Sequence, residues 1–321
     1  IATTTSSFVV PFMSSAVNVA APDIAKRFNL VAENLNLVIT IFMLFSAAFI
    51  LPMGKLSDIY DRIKIFIFGL SLFNISTLLC AIAPNITLLF IFRAFQGFFS
   101  AFIFVTSIAI LISFHSPKIR GRLLGINTAT VYLGTSIGPF LGGVLVRYFG
   151  FRSIFVFSFI VGLFASIISY FILKEARVKL YDKIKPKTLT QSLKEVDKIG
   201  AFFSIVGLFL LIWGASTFES LKISKILFIL GIVAVIIFVL FESRLENPLL
   251  DVKLFVKIPP FGFSNLAALI NYSCTFSTSY LLSLYLQIAK ALNPQMVGIV
   301  LITQPVAQVI TSLISGRMAE R

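Results

Sequence analysis

Residues 86–113 read ITLLFIFRAFQGFFSAFIFVTSIAILIS, an apolar run broken by a single charge, Arg93. A bilayer core about 30 Å thick takes roughly 20 apolar residues of helix, so this stretch is long enough to cross it. It is continuous and lacks the two-residue alternation of a barrel strand, which leaves a helix. Nine more runs of this kind fall at about 1–22, 35–54, 65–83, 123–146, 153–173, 199–218, 224–241, 261–286 and 295–315, bounded by charges or by Pro and Asn turns. The whole chain agrees. It is 58% hydrophobic and 12% charged, with mean hydropathy +1.00, where a soluble domain carries about 25% charge. The expected class is an all-α integral membrane protein with about ten transmembrane helices.

The basic excess, 27 Lys and Arg against 13 Asp and Glu, is an orientation signal and not a nucleic-acid footprint. Nineteen of these cations lie in the loops on one side of the ten runs and seven on the other, with Arg93 alone inside a run. The positive-inside rule puts the nineteen, and with them the N-terminus, in the cytoplasm of a cell-membrane protein. Residues 174–198 are rich enough in Lys to meet membrane lipid. Cys80 and Cys274 lack metal-type spacing and read as packing residues. An enzyme finds no inventory here: one histidine, His115, in a loop, no HExxH, no paired acids inside a run and no Ser–His partnership. The chain opens on Ile1 near an apolar run and stops at Arg321 just after another, as a fragment without a signal peptide would.

The runs divide into blocks. Residues 1–173 hold six runs and are expected to form a bundle. Residues 174–198 are a cytoplasmic linker, 199–257 an inserted helix pair with its loop, and 258–321, opening on Pro259-Pro260, the start of a second bundle. An internal repeat supports this division. Gly54-Lys55-Leu56-Ser57-Asp58 follows the second run, and Gly316-Arg317-Met318-Ala319-Glu320 follows the tenth. Repeated bundles around a midplane site are a transporter architecture.

Three motifs carry more. After the second run, Gly54 allows a tight helix exit, and Asp58, followed by Arg62, offers a carboxylate that a helix N-terminus in the opposite bundle would hold. In residues 86–113, Arg93, Gln96 and Gly97 stand at i, i+3 and i+4 on one helix face. An arginine at a helix centre costs about 2.5–3.5 kcal/mol to insert, so it faces a bundle interior or a water-filled cavity. In the fifth run Gly134, Gly138 and Gly142 form a flat stripe for close backbone approach. There Pro139 permits a bend, and Gly143 follows.

These motifs resemble the major facilitator superfamily, in particular its 14-helix drug:proton antiporter branch. So do Asn18-Val19-Ala20-Ala21-Pro22, Gly150-Phe151-Arg152 and the stretch from Glu246-Asn247-Pro248 to Phe255. The resemblance implies a two-bundle fold with an inserted central helix pair, of which this chain holds the first ten helices and lacks the last four. It implies a cytoplasmic gate at Gly54, Asp58 and Arg62, an arginine involved in proton transfer at Arg93 with Gln96 and Gly97, and an antiporter seal along Gly134, Gly138, Pro139, Gly142 and Gly143. Departures are Ile59 where a basic residue is usual, Asp61 where Gly is usual, and Met13 where the branch carries Asp. All thirteen acids lie outside the ten runs. Polar residues inside the runs, Asn18, Tyr132, Asn271, Tyr272 and Gln304, are the candidate cavity for a small amphipathic substrate. The resulting expectation is a monomeric secondary transporter that exports such compounds by alternating access. It needs no bound cofactor and is coupled to protons. An uptake symporter or a carrier of another solute class is the alternative within transport, and a receptor or scaffold the alternative outside it.

Overall fold

The computed structural model describes residues 2–30, 32–181, 189–217 and 222–318. Six helices come first: α1 (Ala2–Phe28), α2 (Ala32–Ile59), α3 (Arg62–Ile82), α4 (Ile86–Ser113), α5 (Arg120–Phe149) and α6 (Arg152–Tyr181). The short α7 (Leu189–Glu195) leads into the hairpin of α8 (Lys198–Ser216) and α9 (Lys222–Glu242). After α10 (Lys253–Lys257) come α11 (Pro259–Leu284), a π-helical turn at Tyr285–Ala289, α12 (Pro294–Leu301) and α13 (Thr303–Met318). There is no strand among the described residues.

Polar residues set the helix ends. Asp61 caps α3 by accepting from the Ile63 and Lys64 amides. Asn85, Asp197 and Asn293 do the same for α4, α8 and α12, each satisfying donors that a helix start leaves open. Asn29 and Gly150 end α1 and α5 at φ 51° and 75°, the left-handed conformation these residue types tolerate.

Nine spans among the described residues are long and apolar enough to cross a membrane, α12 and α13 together making one. The remaining run, 261–286, forms α11, which has the length but carries Asn265, Asn271 and a Ser/Thr-rich stretch at 273–279. α12 and α13 are split at Ile302 because Pro305 has no N–H to give the Leu301 carbonyl.

Some helices overrun their apolar runs. α2 continues to Ile59, so Gly54 lies within it and does not provide the tight exit expected from sequence. A β-carbon at Gly54 would meet only Val105, at 3.8 Å. α6 reaches Tyr181, so the linker at 174–198 is helical at its start and, through α7, near its end; 182–188 lie outside the described residues. So do Ala319 and Glu320 of the second gate-like motif.

α1 is the innermost helix. Val9, Phe12, Met13, Val17 and Ile24 share one buried core with Phe66 and Phe73 of α3, Leu89 and Ile103 of α4, and Phe155 of α6. Around it, α1 packs on α5, α4 on α2 and α3, and α3 on α6. α8 docks its hairpin on α2, while the far side of α5 receives α12 and α13.

Candidate functional site

Arg93 lies 1% exposed between α2, α3 and α4. Its Nε donates to the Val38 carbonyl at 3.0 Å and an Nη to Gln96 Oε1 at 2.6 Å. Gln96 Nε2 donates to Thr77 Oγ1 at 2.7 Å, and Thr77 to the Phe73 carbonyl at 2.8 Å. The guanidinium also stacks over the Phe42 ring, 4.5 Å from its centroid, a cation–π contact that gains strength where water is excluded. Gly97 makes this seating possible, because a β-carbon there would lie 2.3 Å from the Phe42 carbonyl oxygen. The three motif residues therefore lie on one face of α4, with Gln96 bonded to Arg93 and Gly97 against Phe42. No carboxylate among the described residues pairs with Arg93. Nor does Arg93 reach the central cavity, because Phe42 stands between.

The α5 stripe is a packing surface for α1. A β-carbon at Gly134 would lie 2.6 Å from the Phe8 carbonyl, one at Gly138 2.0 Å from Ser15 Oγ, and one at Gly142 3.1 Å from Ala16 Cβ. Pro139 and Gly143 are buried in the same helix. The other side of α5 approaches the later helices as closely. A β-carbon at Gly125 would lie 2.9 Å from Gly316 Cα, and one at Gly298 2.6 Å from the Pro139 carbonyl. Gly316, the counterpart of Gly54 in the repeated motif, is thus jammed against α5 while Gly54 is not.

In the gate motif, Asp58 pairs with Arg62 at 2.8 Å on an exposed surface, and Arg62 also donates to Ser113 Oγ at 3.1 Å, tying α3 to α4. The neighbouring Asp61 is fully buried, caps α3 and is ion-paired with Arg177 of α6. In sequence Asp61 stands out only as a departure from the family pattern; its N-cap position is the signal that identifies the role. Lys55 Nζ donates to the Pro248 carbonyl at 2.8 Å, linking this motif to the loop after the inserted pair.

Two contiguous cavities occupy the centre. The larger, of about 410 Å³, is walled by α1, α2, α4, α5 and α11, and a smaller one of about 60 Å³ continues toward α12 and α13. Val131, Thr135, Tyr272 and Phe276 line both. Of the candidate cavity residues, Asn18, Tyr132 and Tyr272 line the smaller one, and the Tyr132 side chain meets Asn271 and Tyr272 across the α5–α11 contact. Asn271 and Gln304 line neither. Asn18 Oδ1 is buried without a partner. The larger cavity mixes Phe42, Phe104, Phe276 and Tyr272 with hydroxyls such as Ser14, Ser46 and Thr128, and with Asn127, which Ser7 holds at 2.8 Å. Among the described residues no charged side chain lines either cavity. The sequence does not single out these hydroxyls, because a lone Ser or Thr in an apolar helix satisfies itself on its own backbone and leaves no pattern. Met13 is fully buried in the core.

A helical bundle with an arginine sealed in α4, a glycine-faced α5 and a cavity shared with later helices defines a membrane carrier. Residues 3–245 match the model of the Major Facilitator Superfamily, and the chain belongs to that superfamily of transporters. It is similar to the riboflavin transporter RibZ of Clostridioides difficile (strain 630), 29% identical over 320 residues, covering 98% of this chain and 66% of that protein. It is similar to the multidrug resistance protein Stp of Mycobacterium tuberculosis (strain CDC 1551 / Oshkosh), 28% identical over 332 residues, covering 100% and 58%. A methylenomycin A resistance protein of Bacillus subtilis (strain 168) is 28% identical over 312 residues, covering 96% and 64%. The chain thus spans less than two thirds of the length of these relatives. Among solved structures, a bacterial homologue of the human lysosomal transporter Spinster superposes with TM-score 0.50 at 14% identity, covering 98% of this chain and 94% of that one. That likeness speaks for the fold alone.

Proposed function

We propose that this chain belongs to a secondary transporter that exports small amphipathic compounds from the cell, exchanging them for protons by alternating access. The observation that carries the substrate class is the central cavity, about 410 Å³ and lined by aromatic rings and hydroxyls with no charged side chain among the described residues. Such a lining binds flat apolar bodies by contact area and their polar edges through single hydrogen bonds. Two relatives named for drug resistance support this direction of transport. Alternating access is supported by the contact of α5 with α12 and α13, made backbone to backbone at Gly125, Gly316 and Gly298. A surface without interlocking side chains is one along which bundles can rock. The asymmetry of Lys and Arg favours a cell-membrane protein with its N-terminus in the cytoplasm.

The test uses the full-length protein in a host lacking its own exporters. Cells loaded with ethidium are followed with and without a protonophore, for wild type and Arg93→Ala. The expected result is efflux that the protonophore stops and the substitution abolishes. Efflux indifferent to the protonophore overturns proton exchange, and absence of efflux for any cationic dye overturns the substrate class. A second reading, transport of a flavin-like solute, is favoured by the riboflavin relative and by Tyr272 and Phe276 shared between the two cavities. Riboflavin flux in the same cells decides between them.

A further inference from the structure

The inserted hairpin carries an acid that the transport reading does not use. Glu242 follows the apolar run 224–241 and closes α9 with 1% of its surface exposed. Its Oε2 accepts from the Leu250 amide at 3.3 Å, while its Oε1 is buried and has no partner. Beside it stands Asp197, whose two oxygens cap α8 by accepting from the Ile199 amide at 3.0 Å and the Gly200 amide at 2.9 Å. Both carboxyls press on one bare spot. A β-carbon at Gly200 would lie 2.0 Å from Glu242 Oε1 and 2.4 Å from Asp197 Oδ2, and the two side chains are within hydrogen-bonding reach of each other.

Two ionised carboxylates offer only acceptors, and at this separation, with Glu242 shut off from water, they repel. Among the described residues no Lys or Arg stands at ion-pair distance from Glu242. Lys55 of α2 is committed to the Pro248 carbonyl. Lys198, Arg244 and Lys253 are exposed, Glu195, Glu246 and Asp251 on the adjoining segments are acids, and the Lys194 side chain lies outside the described residues. A proton relieves the two carboxylates. It turns one carboxyl into a donor and gives the orphaned oxygen its partner.

We infer that Asp197 and Glu242 form a proton-binding site, holding one proton between Glu242 Oε1 and Asp197 Oδ2 at neutral pH. The site is one loop away from the gate motif. Glu242 holds the Leu250 amide, and two residues earlier the Pro248 carbonyl accepts from Lys55. Loss of the proton sets the two charges against each other and loosens the loop that Lys55 grips. The site does not depend on which compound is carried.

Infrared spectroscopy of the purified full-length protein at neutral pH tests this through the carbonyl stretch of a protonated carboxyl. The expected result is a band present in wild type and in Glu246→Gln but lost in Glu242→Gln, which is isosteric and keeps a donor toward Asp197. Gly200→Ala, which leaves both acids in place and drives a methyl group between them, is expected to lose the band as well. A band that survives Glu242→Gln, or a wild type without any such band, overturns the site. A band that sodium or calcium chloride removes also overturns it, because a metal cation and not a proton then bridges the two carboxyls.

Discussion

Asp58 and Asp61 are three residues apart and carry the same charge, yet they hold different positions. Asp61 is fully buried, caps α3 and pairs with Arg177, whereas Asp58 pairs with Arg62 in the open. Removing Asp61 strips two amide donors of their acceptor and removes the buried carboxylate that Arg177 pairs with. Asp61→Ala is therefore expected to lower stability by about 1–2 kcal/mol. Asp58→Ala is expected to cost less than about 0.5 kcal/mol, as exposed i,i+4 pairs do. Thermal unfolding of the purified protein in detergent measures both, and a larger loss for Asp58 would contradict these placements. Gln96 belongs to the same scale. It joins Arg93 to Thr77 in a chain with no exposed member. Gln96→Leu leaves a buried charge short of an acceptor and is expected to cost about 2–3 kcal/mol in the same assay.

At the scale of elements, the glycines sort by what a β-carbon would strike. A β-carbon at Gly97 would lie 2.3 Å from the Phe42 carbonyl oxygen and one at Gly138 2.9 Å from the Phe12 carbonyl oxygen, and backbone cannot yield without moving a helix. Gly97→Ala pushes α2 from α4 at Phe42, and Gly138→Ala turns the Ser15 hydroxyl aside and pushes α1 from α5 at Phe12. Each is expected to lose about 1–3 kcal/mol by overpacking. Gly54→Ala, with ordinary space around it, is expected to stay within about 0.5 kcal/mol. Melting temperatures of the three variants check this order, and Gly54→Ala losing as much as Gly138→Ala would refute it. The sequence signals this contrast only in part. The i, i+4 spacing of Gly134, Gly138 and Gly142 announces a flat helix face, but it does not say which helix lies on it. Gly54 looks equally conspicuous and meets almost nothing.

Across the whole molecule, the cavity comes from helices far apart in the chain, and Tyr272 of α11 is where its two parts join. Tyr272→Ala removes an aromatic wall from both parts. If the cavity binds substrate, the concentration for half-maximal efflux is expected to rise roughly tenfold, equal to about 1.4 kcal/mol. Concentration-dependent ethidium efflux measures it, and an unchanged value would place the binding site elsewhere. The sequence alone determined the solvent and the helices. A run such as 86–113 has no other way to satisfy its backbone in lipid, and one charge inside it requires an enclosed seat. It also marked Arg93, Gln96 and Gly97 as one face, because helical spacing is local information. Three-dimensional packing decided the rest. Phe42, 51 residues earlier in sequence, closes Arg93 off from the cavity. Gln304 lines neither cavity although it is polar and lies in a run. Glu242, a loop acid by its place in the sequence, is buried against Asp197. The physical reason is common to all three. Which face of a helix meets lipid, cavity or another helix depends on its rotation and its neighbours, and these are set by packing between segments distant along the chain.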